Sequence, residues 1–290
     1  MKNLDMKYIL KLMRPKQWLK NVFVLAALVF SGKFQNGHIL LLNLYVFILF
    51  SLISSAVYIL NDLVDVEKDK QHPQKKFRPI ASGKVSKSQA LAFELIIVCI
   101  VLFTSYSISL KLLVVLLTYY IMNILYSFKL KNVVIVDVMI ITFGFVLRVI
   151  SGSIVTNVQL SPWLILCTIL ISLFLALNKR RSEIVTLKDK RGSHRKILEE
   201  YSVELIDSML TIVTPSILIT YCLYTFSSTQ SRTMMITIPF VLYGIFRYQY
   251  LVSKKNVGGK PEDVFQNDMP FLIDIVLWAV IIIAIIYFKL

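Results

Sequence analysis

Cysteine and histidine are nearly absent from this chain. Among 290 residues there are three cysteines, Cys99, Cys167 and Cys222, and three histidines, His38, His72 and His194. The cysteines lie far apart inside apolar runs, so neither a disulfide framework nor a zinc spacing is present. They read as small apolar residues. No histidine offers an obvious catalytic base, and His72, just before a proline, reads as structural. Acidic residues are also scarce, 17 against 32 basic ones, for a net charge of +15. Apolar residues are what the chain has in excess: 57% of it is hydrophobic and the mean hydropathy is +0.70. A soluble fold could not bury that much.

The apolar residues come in runs of roughly 20 divided by charged segments, the length that crosses a hydrocarbon core. Nine spans are predicted, at roughly 18–34, 39–60, 88–108, 110–128, 134–153, 161–178, 203–226, 233–252 and 270–288. The first apolar run, from Trp18 to Phe30, lacks a small-x-small cleavage site and reads as a span rather than a signal peptide. Alternation then puts the N-terminus and segments 61–87, 129–133, 179–202 and 253–269 on one side, with short turns on the other. Lys and Arg number 26 on the first side and four on the second. The positive-inside rule makes the first side cytoplasmic. The basic excess is therefore topology aided by anionic membrane lipid, and nucleic acid is not an expected partner. The fold class expected is an all-α polytopic membrane bundle. The chain, 1–290, reads as a single domain in the cell inner (plasma) membrane, and a homo-oligomer is compatible with it. The two long loops, 61–87 and 179–202, follow spans two and six and hint at an internal repeat.

The first long loop opens with Asn61-Asp62-Leu63-Val64-Asp65-Val66-Glu67-Lys68-Asp69. Without Pro or Gly, it reads as a continuation of the second span. Spacings of three and four stack Asn61, Asp62, Asp65 and Asp69 on one helix face. Carboxylates gathered in this way repel unless a cation sits among them. Mg²⁺ takes one or two carboxylates, keeps waters and shares its remaining positions with substrate phosphates. The cluster therefore points to Mg²⁺ and a diphosphate, with the active site facing the cytoplasm. Pro73, Pro79 and Gly83 then break the helix and bring Lys75, Lys76 and Arg78 back toward the acids. Asp137 opens an otherwise apolar helix, where an acid also suits the helix dipole. Arg148 lies eleven residues on, about three turns, along the same face. An ionisable residue within a span is a functional candidate by default. Arg148 is expected either to pair with Asp137 or to bind a phosphate.

At these residues the chain resembles the UbiA superfamily of intramembrane prenyltransferases, whose first Asp-rich motif matches Asn61–Asp69. The resemblance implies helices around a central cavity, a cytoplasmic cap from the two long loops, and a Mg²⁺-bound diphosphate. Further motifs resemble the decaprenyl-phosphate phosphoribosyltransferases within that superfamily. These are Arg14-Pro15-Lys16-Gln17-Trp18-Leu19-Lys20-Asn21, His72-Pro73 through Gly83, Tyr126-Ser127 with Leu130-Lys131, Phe145 to Arg148, Lys179-Arg180-Arg181 with Glu183, and Pro261-Glu262-Asp263. That subfamily moves 5-phosphoribose from phosphoribosyl diphosphate to a polyprenyl phosphate. Prenylating members usually carry a second motif with two or more acids. Here Asp137 stands alone near Lys129 and Lys131, which favours a more anionic donor.

The resemblance then implies roles. Asp62, Asp65 and Asp69, with Asn61, would hold Mg²⁺ on the diphosphate. Lys75, Arg78, Lys129 and Lys131 would stabilise the leaving group, with Asp137 and Tyr126 beside them. Lys16 and Lys20, with Arg14 and Gln17, would seat the acceptor headgroup next to the interfacial Trp18. Lys179 and Arg180 would clamp the 5-phosphate, or serve only as topology signals. A lipid monophosphate is already largely ionised near neutral pH, so no strong base is required. Two other activities fit the same pattern: an aromatic prenyltransferase using a prenyl diphosphate, and a transporter of an anionic lipid or metabolite.

Overall fold

A computed structural model describes residues 6–72, 74–187, 197–227, 232–255, 264 and 267–290. Pro73, His194, the segment 188–196 and Pro261-Glu262-Asp263 lie outside the described residues.

The described chain is helical throughout, as buried apolar segments with no external backbone partners must be. A short helix, α1 (Met6–Met13), leads into a 3₁₀ segment, Pro15–Leu25, and a single turn, α2 (Ala26–Phe30). Then come α3 (Gly37–Val64), α4 (Val66–Gln71), α5 (Lys87–Ile108), α6 (Leu110–Phe128), α7 (Val136–Thr156) and α8 (Pro162–Leu187). The chain closes with α9 (Ile197–Glu200), α10 (Val203–Ser227), α11 (Ile238–Lys255) and α12 (Met269–Phe288). The ends are set by local chemistry. The Asn36 side chain accepts from the backbone N–H groups of His38 and Ile39 and starts α3. Ser86 and Gln89 form a capping box at α5. Ser109 ends α5 and, through its hydroxyl, caps α6, so these two helices join with no loop between them. Asp268 caps α12 by accepting from Phe271 N–H.

Among the described residues, eight helices are long and apolar enough to cross a membrane. This corrects the nine expected: the predicted first span, 18–34, is not a long α-helix. Its 3₁₀ stretch runs for 11 residues, far beyond the usual three or four. Contacts explain its shape. The segment lies antiparallel along α3, with Arg14 on Asp62 at one end. Trp18 Nε1 donates to Ser55 Oγ at 3.0 Å and Asn21 Nδ2 to Ser51 Oγ at 3.0 Å further along. Against α7 the two backbones touch: a Cβ on Gly152 would lie 1.8 Å from the Val24 carbonyl oxygen. Glycine is required there by close approach. At the far end Lys33 Nζ donates to the carbonyls of Thr156 and Asn157, each at 3.1 Å, closing the last turn of α7. Buried polar residues thus hold this segment in place of an apolar helix face.

Among the described residues two large apolar clusters make most of the interior, with a smaller third around Met234, Ile282, Ile285 and Ile286. One joins α3, α5, α6 and the inner part of α7; the other joins α8 to α12 with Val138 of α7. The rows of exposed Leu, Ile, Val and Phe on the outer faces suit a lipid surround. Polar pairs gather at one end of the bundle, where α3, α6, α8 and α11 finish and α5, α7, α10 and α12 begin.

Candidate active site

The site forms where α3 ends. Asp65 interrupts the helix with φ −96° and ψ 13°, but Asp65 N–H still donates to Asn61 O and Asp69 N–H to Asp65 O. The chain therefore keeps most of its helical rise, and residues seven apart remain on one face. The expected single carboxylate face is in fact two. Asp62 and Asp69 are buried, 2% and 3% exposed, and share the Arg78 guanidinium: its Nη1 lies 2.9 Å from Asp62 Oδ1 and 2.6 Å from Asp69 Oδ2. Arg14 also donates to Asp62 and stacks its guanidinium over the Tyr58 ring. On the second face, Lys131 Nζ reaches Asp65 at 2.9 and 3.1 Å. Ser127 Oγ donates to Asn61 Oδ1 at 2.6 Å. Glu67, within the same motif, points away, pairing with Lys70 and Lys87 at the surface.

The cations come from three distant places. Arg14 sits in the left-handed region (φ 52°), just before Pro15. A non-glycine residue so placed is strained, and such strain concentrates at functional positions. Arg78 follows a tight turn in which His72 Nδ1 accepts from the N–H groups of Gln74 and Lys75. Lys131 lies on the short 3₁₀ turn Leu130–Asn132 between α6 and α7. Arg14 and Arg78 remain about one-quarter exposed.

Among the described residues no group of three His, Cys, Asp or Glu side chains could hold a metal ion. The donor set nevertheless suits Mg²⁺ in kind. One cationic nitrogen, Arg78 Nη1, is held between two carboxylates. Asp62 Oδ2 and Asp69 Oδ1 accept no hydrogen bond from a described residue. Hard carboxylate oxygens around one cation-sized position are what Mg²⁺ requires.

Asp137 lies elsewhere. It is 0% exposed, accepts from Arg180 Nε at 2.6 Å and from Tyr201 Oη at 2.8 Å, and is committed on both oxygens. Arg180, itself 1% exposed, also bonds Glu183. Burial, together with its hydrogen bond to Asp137, raises the Tyr201 phenol above its ordinary pKa. The expected pairing of Asp137 with Arg148 is therefore corrected. Arg148 Nε donates to Asn21 Oδ1 at 2.8 Å, Nη1 to Gly144 O at 2.7 Å and Nη2 to Tyr119 Oη at 3.1 Å. Its guanidinium lies over the Phe50, Tyr119 and Phe145 rings. No carboxylate of a described residue pairs with it. Three turns of α7 separate the two residues, and Arg148 spends its donors on Asn21, Gly144 and Tyr119 instead.

The other expected residues divide. Tyr126 is half-buried and within electrostatic reach of Arg180, while Lys179 and Lys75 are half-buried. Lys16 and Lys129 are exposed, and Lys20 donates to Gln17 at 2.7 Å. Arg181 pairs with Asp207 of α10. Ser127, Tyr58 and Tyr201 escaped the sequence reading. Ser127 stands within the Tyr126-Ser127 motif; the other two carry no local signal.

A membrane-embedded helical bundle with an acidic, cation-lined site at one end defines a class, the intramembrane transferases. The chain belongs to that class by family. Residues 21–267 match the model of the UbiA prenyltransferase family, and the chain is a multi-pass membrane transferase of that family. It is 31% identical, over 97% of its length and 93% of the relative's, to the decaprenyl-phosphate phosphoribosyltransferase of Mycolicibacterium smegmatis. It is 32% identical to the protein of that name from Mycobacterium tuberculosis, over 90% of this chain and 88% of the relative. The Corynebacterium glutamicum protein of that name is 31% identical, over 96% and 86%. The fold is similar to that of a UbiA homolog from Archaeoglobus fulgidus bound to GPP and Mg²⁺, with a TM-score of 0.72, 17% identity, and coverage of 97% and 99%.

Proposed function

We propose that this protein transfers 5-phosphoribose from phosphoribosyl diphosphate to a polyprenyl phosphate, releasing diphosphate on the cytoplasmic side of the membrane. The observation that carries the reading is the charge arrangement. Three cations, Arg14, Arg78 and Lys131, contact the carboxylate cluster directly, while the second acid, Asp137, is consumed by Arg180 and Tyr201. The three cations match the three carboxylates in number, so Mg²⁺ on the acids would leave all three for the donor, and a donor with both a diphosphate and a further phosphate suits them better than a prenyl diphosphate. The names of the relatives point the same way.

Asp62, Asp65 and Asp69, with Asn61, would hold Mg²⁺. When bound, the ion supplies neutralising charge to the diphosphate leaving group. Arg78 and Lys131, released from the carboxylates, would donate to the diphosphate oxygens, with Lys75 and Lys129 adding positive potential. The acceptor needs no deprotonation. One phosphate oxygen forms a bond to the anomeric carbon as the carbon–oxygen bond to diphosphate breaks, and that electron pair leaves on the diphosphate. Lys16 and Lys20 lie where the chain enters the bundle and would attract the lipid headgroup. Arg148 adds positive potential to the interior. Tyr126, next to Ser127, and Lys179 and Arg180 of α8 would serve the donor, with Lys179 the candidate for the 5-phosphate. Asp137 and Arg180 form the frame around it.

The test is direct. Purified protein receives Mg²⁺, phosphoribosyl diphosphate labelled in the ribose, and polyprenyl phosphates of several lengths. Label should pass into the lipid phase as diphosphate appears. Transfer from a prenyl diphosphate to a hydroxybenzoate, with none from phosphoribosyl diphosphate, would overturn the reading.

A further inference from the structure

The link between α6 and α7 contains an improbable residue. Ile135 has φ 68° and ψ −43°, and Val136 N–H donates to Val134 O at 2.8 Å across it. That is a γ-turn of the strained hand, with a β-branched side chain in a region L residues avoid. Such strain persists only where the surroundings over-determine it. The Ile135 carbonyl is taken into α7 by Met139 N–H, and its N–H is held by one side-chain hydroxyl. Tyr201 Oη accepts from Ile135 N–H at 2.7 Å and donates to Asp137 Oδ1 at 2.8 Å. Tyr201 is 1% exposed and follows α9 in the second long loop. The Arg180 guanidinium fixes the other oxygen of Asp137.

The turn has a downstream consequence. Four residues before Ile135 stands Lys131, on the 3₁₀ turn, reaching Asp65. Between them the chain has little slack: Val133 N–H donates to Leu130 O and Asp137 N–H to Val133 O, each at 3.1 Å. Lys131 is therefore aimed by a segment anchored at Asp137 and clamped at Ile135. We infer that Tyr201 is a positioning residue of the transferase site: its hydroxyl holds the strained turn at Ile135 and thereby aims Lys131 at the Asp65 position. The inference rests on the reading of Lys131 as a diphosphate contact.

The probe is inorganic diphosphate with Mg²⁺, titrated calorimetrically, alongside hydrogen exchange of residues 131–137. Tyr201→Phe keeps the ring and removes the clamp. It should weaken Mg²⁺–diphosphate binding about tenfold, the size expected when one strained residue relaxes, and speed exchange across 131–137. Lys131→Ala should weaken binding by a similar factor, and Tyr201→Phe should then add nothing further. Ile135→Gly should restore binding and slow exchange in the Tyr201→Phe protein, because glycine holds positive φ without a clamp. A merely structural tyrosine would give additive losses and no rescue, which would overturn the inference. If Tyr201→Phe does not fold, it is compared in the Ile135→Gly background. Failure to fold there too would also overturn it. If even the unaltered protein fails to bind Mg²⁺–diphosphate, the proposed activity falls, while the exchange data still judge the clamp.

Discussion

Two carboxylate–arginine arrangements lie at the same end of this bundle, and they differ in one respect. Asp62 and Asp69 meet Arg14 and Arg78, whose side chains are 24% and 27% exposed. Asp137 meets Arg180 where the two are 0% and 1% exposed. The chemistry of the pairs is the same, but their freedom is not. A buried pair pays desolvation on both ions, and removing either partner strands the other. A guanidinium that is one-quarter exposed can trade a carboxylate for a phosphate when a metal ion takes its place on the buried acids, because no charge is then left stranded. The first arrangement can exchange partners; the second is a fixed frame that holds α7 against α8.

The largest effect that would sharpen this contrast is on turnover. Asp65→Asn should lower transfer about a thousandfold, the scale of losing a group that stabilises developing charge, with the unfolding midpoint in detergent nearly unchanged. Retained turnover would remove Asp65 from the site. Arg180→Met should do the reverse in kind, costing about 3–5 kcal/mol of stability. Thermal or denaturant unfolding would read this, and adding Asp137→Leu should recover most of the loss. If Arg180→Met unfolds no more readily than the parent protein, the frame is not fixed and the comparison fails.

The next effect is smaller. Lys131→Ala should raise the donor concentration needed for half-maximal rate about tenfold, near the 1.4 kcal/mol that one charge-assisted contact supplies, with stability little altered. An unchanged dependence would argue against the contact. The smallest effect belongs to Glu67, which the motif contains but the site does not. Its hydrogen bond to Lys70 pulls its carboxyl below the ordinary value of 4.5. The stabilisation is therefore present above that value and lost as pH falls through the lower folded one. Being fully exposed, it should be nearly silent: Glu67→Gln should leave turnover within about twofold, as surface substitutions generally do.

Sequence legibility follows the range of the interactions. The eight long spans were legible because a membrane forces every backbone group into a helix, and hydropathy reads that without tertiary knowledge. The acids at 62, 65 and 69 were legible because the helical hydrogen bonding of α3 carries through Asp65 into α4, and periodicity reports neighbours along such a run. The split of that helix face between Arg78 and Lys131 was not, since those partners arrive from a loop and from another helix pair. Asp137 finds Arg180 and Tyr201 43 and 64 residues away, which no spacing rule could show. Arg148 was placed on the Asp137 face correctly by rotation, but rings from α3 and α6 capture it first. The broken first span was illegible because it depends on the backbone contact between Val24 and Gly152. Its apolar residues gave the expected hydropathy signal, while Asn21 and Trp18, read as polar and interfacial, were the residues bonded to α3.

The central claim is that the carboxylate cluster around Asp65 is the seat of the Mg²⁺–diphosphate end of the donor. Equilibrium binding of labelled phosphoribosyl diphosphate tests it most directly, measured with and without Mg²⁺ on the unaltered protein and on Asp65→Asn. The account predicts saturable binding that requires Mg²⁺ and is lost in Asp65→Asn. Binding that is equally tight without Mg²⁺, or unchanged by Asp65→Asn, would contradict it.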